Sequence, residues 1–274
     1  LLCVIGVTAA SQTAPATIDV HIMDVGQGSG ALLVINNEAL VFDVGDDFGA
    51  NFNMVDHVLR PYLQHMQVKS IPAVYISHAD KDHAGGINRL VSAFPDMQVI
   101  DEKNGCVSGY QQSFHAVQLT VLWPLENMGL GKKNDRSCVI QLQIGQHRVL
   151  FTGDIEAFAE EQLIQAHDQG LIDLSSDILI VPHHGSNSSS TNRFIHRVAP
   201  SYAIISAGYM NRYQLPKDAV VDRYLTAGSQ VLNTAVLGQI SVQFSTAEQV
   251  PFTITTKRGS AYTSMWAYRW YQFD

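Results

Sequence analysis

The sequence predicts an α/β fold, and three observations carry that expectation. Short, β-rich apolar runs alternate along the chain with stretches of helical spacing. An early trio of strands joined by short turns reads as a β-meander. Residues of metal-ligand type recur where strands run out, around 78–83, at 154 and at 183–184. In α/β sheets that is the usual place for a site.

With 274 residues, 46% of them hydrophobic, the chain can bury a full core as one large domain or two small ones. Charged residues are only 15%, which argues against a disordered acidic chain despite the net charge of −8. The negative balance argues against broad electrostatic capture of nucleic acid, though not against a local basic track. The opening run Leu1-Leu2-Cys3-Val4-Ile5-Gly6-Val7 is too short to span a bilayer, which takes about 20 residues. It reads as the tail of a membrane helix, the apolar part of a signal peptide, or a buried strand. The first two would put the remainder of the chain outside the cytoplasm. A linker around Pro15 ends this 1–16 segment, and one domain is expected over 17–274.

Residues 17–25 alternate as a strand does, 31–35 resume after Gly26-Gln27-Gly28-Ser29-Gly30, and 39–45 come after the Asn36-Asn37 turn. The glycine-rich turn looks like a phosphate loop, but no helix and no Lys-Ser/Thr pair comes after it, so a P-loop is excluded. A helix is expected over 54–63, a buried strand over 71–76, a helix over 87–91 and a short strand at 99–100. Residues 117–123 alternate and stop at Pro124, and the Gly- and Lys-rich 126–133 reads as a mobile loop. A strand from Cys138 turns at Gly145 into another at 148–152, before a helix over 156–167. A buried strand over 177–182 precedes the polar 188–190, which reads as the cap of a helix over 192–198. Then come a strand at 202–207, a helix at 219–227 and strands at 230–234 and 238–244, the last closing the sheet. The tail through Trp266, Tyr268, Trp270 and Tyr271 reads as an edge strand or a contact surface.

The densest motif is Ser77-His78-Ala79-Asp80-Lys81-Asp82-His83-Ala84-Gly85-Gly86. His78, Asp80, Asp82 and His83 converge only if the backbone turns sharply, which Ala84 and the two glycines permit. An exposed polar loop with a capping Asp is the bland reading, and this ligand density after a buried strand disfavours it. Asp154 after Thr152-Gly153, and His183-His184-Gly185-Ser186, would each alone be ordinary surface features. Their recurrence at strand ends argues for a metal centre. Neutral imidazole and carboxylate suit Zn²⁺, Mn²⁺ or Fe²⁺. Enough ligands exist for two divalent ions with an Asp between them, an arrangement that activates water and clamps phosphoryl or carbonyl oxygens. Cys106 and Cys138 either close a loop of about 30 residues as a disulfide, worth about 3–4 kcal/mol, or remain two buried thiols.

The order of these motifs, His-x-Asp-x-Asp-His, Thr-Gly-Asp and His-His-Gly-Ser, resembles the metallo-β-lactamase superfamily. More narrowly, Met23-Asp24-Val25-Gly26-Gln27-Gly28, the Asn134-Asp135-Arg136-Ser137 stretch and Val181-Pro182-His183-His184-Gly185-Ser186 resemble the hydrolase domain of the ComEC family of DNA-uptake channels. The resemblance implies an αββα four-layer sandwich with the site at one edge. It implies metal ligands at His78, Asp80, Asp82, His83, Asp154 and His184, with Asp154 bridging two Zn or Mn ions. It implies that Cys106 and Cys138 pair. Two departures stand out: Asp80 replaces the superfamily's usual second His, and a third-motif His is missing, with Asn134 and Ser137 near its place. Fewer imidazoles at one position weaken it for Zn²⁺ and favour Mn²⁺.

The expected function is a metal-dependent phosphodiesterase that degrades the non-transported strand during DNA uptake. Asp82 would orient or deprotonate water, His183 would donate to a developing oxyanion, and Asn134, Ser137 and Ser186 would contact substrate or support the ligands. Expected partners are single-stranded DNA and a membrane channel portion preceding this chain, on the extracytoplasmic side of a bacterial inner membrane. The alternatives are a small-ester hydrolase of the same fold, such as a phosphorylcholine esterase or lactonase, and a non-catalytic DNA-guiding domain with a degenerate site.

Overall fold

The structure, a computed structural model, describes residues 17–49, 51–125, 131–245 and 252–258. The apolar stub, the 126–130 part of the expected mobile loop and the aromatic tail lie outside the described residues. The first sheet is built from β1 (Thr17–Ile22), β2 (Gly30–Ile35), β3 (Glu38–Val44), β4 (Ser70–Tyr75) and β5 (Gln98–Ile100). The chain then crosses to a second sheet: β6 (Gln111–Phe114), β7 (Val117–Trp123), β8 (Val139–Ile144), β9 (His147–Phe151), β10 (Ile178–Ile180), β11 (Tyr202–Ile205) and β12 (Gln230–Asn233). It returns with β13 (Ile240–Ser245) and β14 (Thr253–Thr256). Spatial order is β14-β13-β1-β2-β3-β4-β5 in one sheet and β12-β11-β10-β9-β8-β7-β6 in the other.

Alternation along the strands decides the layering. Ile18, Val20 and Ile22 of β1 join Leu119, Val121, Ile140 and Leu142 of the second sheet in a core between the sheets. The opposite face of the first sheet packs Leu32, Val34 and Val41 against Val55, Leu59, Leu63 and Leu90. These helical residues come from Val55–Leu59, α1 (Arg60–His65) and α3 (Ile87–Ala93); the short α2 (Lys81–Ala84) precedes α3. The outer face of the second sheet packs on α4 (Ala157–Asp168), α5 (Asn192–Val198) and α6 (Asp218–Thr226). The result is the αββα sandwich. Among the described residues no helix is long and apolar enough to cross a membrane.

The β-meander is present: β1, β2 and β3 are antiparallel neighbours. Several elements differ from expectation. The strand near 238–244 does not close its sheet; β13 sits between β1 and β14, and β14 takes the edge. The helix expected over 54–63 opens as a π turn at Val55–Leu59 and becomes α-helical only at Arg60. Pro61 has no N–H to give to the preceding turn, which favours a shift of register here. The cap of α5 is Thr191, whose hydroxyl accepts from Phe194 N, and not the serines before it. Strand β6 carries one apolar residue in four, so no pattern announced it; pairing with β7 holds it. A short α7 (Thr234–Leu237) comes after β12 and takes in Thr234, the last residue of the strand expected over 230–234.

Cys106 and Cys138 are joined by a disulfide across 32 positions of sequence, with Cα atoms 5.9 Å apart. In the chain-entropy account a loop of that size stabilises the fold by about 3–4 kcal/mol.

Candidate metal centre

Strands β3, β4 and β5 are parallel, as are β9, β10, β11 and β12. Their carboxyl ends deliver the site. Asp43 is the penultimate residue of β3, the Ser77–His83 stretch comes after β4, Asp154 after β9, and His183-His184 after β10.

His78, His83 and Asp154 form one buried group whose ligand atoms lie within 4.8 Å of one another; Asp82, His83 and His184 form a second, sharing His83. His83 Nε2 is 3.1 Å from Asp154 Oδ1, and His184 Nε2 is 3.5 Å from the same oxygen. His78 Nε2 is 3.9 Å from Asp154 Oδ2, and Asp82 Oδ2 is 3.6 Å from His184 Nε2.

The surroundings fix which nitrogens face inward. His83 Nδ1 lies 2.7 Å from the Asp43 carboxylate, and His184 Nδ1 lies 2.7 Å from the Ser206 carbonyl. Both partners only accept, so each Nδ1 carries a hydrogen and each ring turns its Nε2 inward. Those two Nε2 atoms are 3.2 Å apart. Two imidazole nitrogens held that close, beside a buried carboxylate, call for positive charge between them. His78 Nε2 and Asp154 Oδ1 are likewise buried without an aligned hydrogen-bond partner. A divalent cation is the group this donor set fits.

The electrostatics point the same way. Burial opposes charge on His83, but Asp154 and Asp43 overcome it and raise its pKa well above the usual imidazole range. Burial also opposes ionisation of Asp154, and His83 and His184 more than offset it, holding that carboxyl far below its ordinary value. Burial, with His83 beside it, lowers His78. Several buried groups together demand positive charge at one place.

The remaining expected residues take different positions. Asp80 is half-buried, with Oδ2 3.4 Å from His78 Nε2, and its other oxygen is ion-paired with Lys133. His183 is less buried than His184; its Nε2 is 3.7 Å from Asp154 Oδ2 and 3.4 Å from the Asn134 amide. Ser137 is buried and accepts from Asp154 N at 3.1 Å, so it holds that residue's backbone. Ser186 stays within its own loop, 3.1 Å from Ser188, whose hydroxyl is 3.2 Å from His183 Nδ1.

Sequence reasoning missed Asp43, Ser77, Ser206 and Lys133. Asp43 accepts from both Ser77 N and Ser77 Oγ, at 2.7 and 2.8 Å, besides facing His83. Its signal was available: it is another carboxylate at the end of a buried strand. The glycine turn after β1 also gains its reason. A Cβ on Gly28 would stand 2.3 Å from the Asp82 carbonyl oxygen, which accepts from Ser29 N. The turn is a bed for the Asp82 backbone.

Residues 23–127 match the family model described as the metallo-beta-lactamase superfamily. The sandwich resembles the crystal structure of the metallo-beta-lactamase fold protein YhfI from Bacillus subtilis, at TM-score 0.55 and 13% identity, covering 83% of this chain and 100% of that one. A metallo hydrolase from Ignicoccus hospitalis gives TM-score 0.54 at 12% identity over the same shares. With the ligands gathered at the strand ends, the chain has the metallo-beta-lactamase fold, and residues 23–127 carry that superfamily's sequence pattern.

Its sequence relatives are narrower in kind. Recombination protein 2 of Haemophilus influenzae is 34% identical over 242 residues, 85% of this chain and 30% of its own length. Competence protein ComA of Neisseria gonorrhoeae is 31% identical over 81% of this chain and 31% of its own length. ComE operon protein 3 of Bacillus subtilis is 26% identical over 82% and 33%. The chain thus spans about a third of the length of these relatives.

Proposed function

We propose that this domain is a metal-dependent phosphodiesterase that degrades DNA, acting on the non-transported strand as part of a longer DNA-uptake protein. The observation that carries the hydrolytic part is the inward pair of Nε2 atoms 3.2 Å apart, beside the orphaned Asp154 Oδ1. The names of two relatives, a competence protein and a recombination protein, support DNA as the polymer. The disulfide supports an oxidising, extracytoplasmic setting, because such bonds persist there.

His78, Asp80, Asp82, His83, Asp154 and His184 would hold two divalent ions, Zn or Mn, which supply acidified water and charge opposite the phosphoryl oxygens. Asp43 and Ser206 hold the Nδ1 hydrogens of His83 and His184, so both rings keep their inward orientation. Asp82, the most exposed member of the two groups, orients water and accepts its proton. His183 donates to the oxygen that gains charge.

The test is a cleavage assay on single- and double-stranded DNA with Mn²⁺, Zn²⁺ or chelator. Metal-dependent cleavage that disappears in Asp82→Ala is expected. Hydrolysis of small esters with no cut in DNA would overturn the reading in favour of a small-ester hydrolase. Less than one bound ion per chain across both metals would overturn it in favour of a guiding domain.

A further inference from the structure

We infer that the segments leaving the metal-bearing edge form a stacking rim that selects single-stranded nucleic acid through its bases. The identity of the polymer rests on the phosphodiesterase reading; the rim itself rests on where aromatic rings are exposed. Among the described residues the exposed large aromatics are Phe48, Phe52, Phe158, Tyr209 and Tyr213, between 42% and 64% accessible. All five lie on the segments after β3, β9 and β11, the strands whose ends lead to Asp43, Asp154 and Ser206. Exposed rings scattered at random would not collect at one edge.

Each segment touches the ligand set. The chain at Asp46 and Asp47 lies on α2, close enough that a Cβ on Gly85 would stand 2.7 Å from Asp47 N. That helix carries Asp82 and His83. The segment bearing Tyr209 and Tyr213 starts at Ser206, which holds His184, and returns to set Pro216 against Gly185. Phe158 lies in the first turn of α4, just past Asp154.

Cations accompany the rings. Lys81 Nζ is 5.5 Å from the Phe48 ring centre, and the Arg212 guanidinium is 4.6 Å from that of Tyr213. Three neighbouring lysines are already paired, Lys81 with Asp46, Lys132 with Glu156 and Lys133 with Asp80, while Lys217 Nζ meets the Tyr213 carbonyl. With a chain charge of −8, little cationic surplus is left to hold phosphates. Away from the metal centre the larger share of binding energy then comes from stacking, which every unpaired base offers and which a duplex hides inside itself. Salt dependence is therefore shallow for a nucleic-acid site.

The experiment is fluorescence anisotropy on the metal-loaded protein with labelled oligothymidylate, an abasic strand of equal length and a duplex, all with cleavage-resistant phosphorothioate linkages. Wild type is expected to bind oligothymidylate about tenfold or more tighter than the abasic strand. The Phe48→Ala/Phe52→Ala and Tyr209→Ala/Tyr213→Ala variants should lose that preference, with melting temperature unchanged, whereas Tyr213→Phe keeps it. Equal binding of abasic and base-bearing strands by wild type, or a duplex bound as tightly, overturns the rim. Equal binding together with cleavage of a small phosphodiester by wild type would sink the rim and leave the phosphodiesterase reading standing. Base-dependent binding with no hydrolysis of any diester would do the reverse.

Discussion

The two ligand groups share His83 yet are held with unequal firmness. In the group of Asp82, His83 and His184, both imidazoles are fixed from behind by buried acceptors, Asp43 and Ser206. In the neighbouring group, His78 has behind it only the Ser77 hydroxyl at 3.1 Å, and the adjacent Asp80 is drawn outward by Lys133. A carboxylate or carbonyl behind a ligating imidazole orients the ring and raises its basicity. Two positions built from similar residues therefore need not bind alike. The position at His78 should load weakly and the one at His184 tightly.

The contrast breaks most completely at Asp154, which faces both groups. Asp154→Ala should abolish both binding events and lower any cleavage rate at least about a hundredfold; isothermal titration that still showed two ions would refute the shared role. Next is the strap between the halves. Cys138 N donates to Ser77 O at 2.7 Å, while its neighbour Ser137 holds Asp154 N. Cys106→Ser/Cys138→Ser should cost about 3–4 kcal/mol in denaturant unfolding. A loss within error of zero would show that packing alone sets the strap.

Asp43→Asn sharpens the contrast, because its amide would present N–H to His83 Nδ1 and move the ring hydrogen to Nε2. The tighter ion should weaken about 10–100-fold, with nitrogen NMR of His83 reporting the tautomer; unchanged affinity would mean that Asp43 does not set the ring's hydrogen. Smallest is Lys133→Met, which releases Asp80 toward His78. The weaker ion should tighten a few-fold, on the order of the 1 kcal/mol of an exposed ion pair. Weaker loading would mean that Lys133 supports the site.

Much of this was legible in the sequence, for a physical reason. A buried strand leading into several ligands within six residues is a local pattern, and so is a carboxylate after Thr-Gly. The meander and the alternating strands arise from period-two patterning. What stayed hidden depends on distant pairing. Asp43 becomes meaningful only when β3 and β4 lie side by side and bring it to Ser77 and His83. Ser206 acts through its backbone carbonyl, which no side-chain pattern reveals. Strand β6 has too few apolar residues to signal itself, and Lys133 reaches Asp80 across 53 positions.

In the turn after β10, His183 and His184 both take left-handed backbone angles, with φ of 48° and 53°. Such conformations are costly for residues other than glycine, by about 1–3 kcal/mol each, and persist where the surroundings enforce them. Two in succession throw adjacent rings apart, to centroids 6.3 Å and planes 67° from parallel. One ring is locked to Ser206 while the other looks toward Asn134 and the open side. Sequence neighbours have thereby become independent parts. Exchanging the outer imidazole for another donor would leave the inner one where Ser206 holds it.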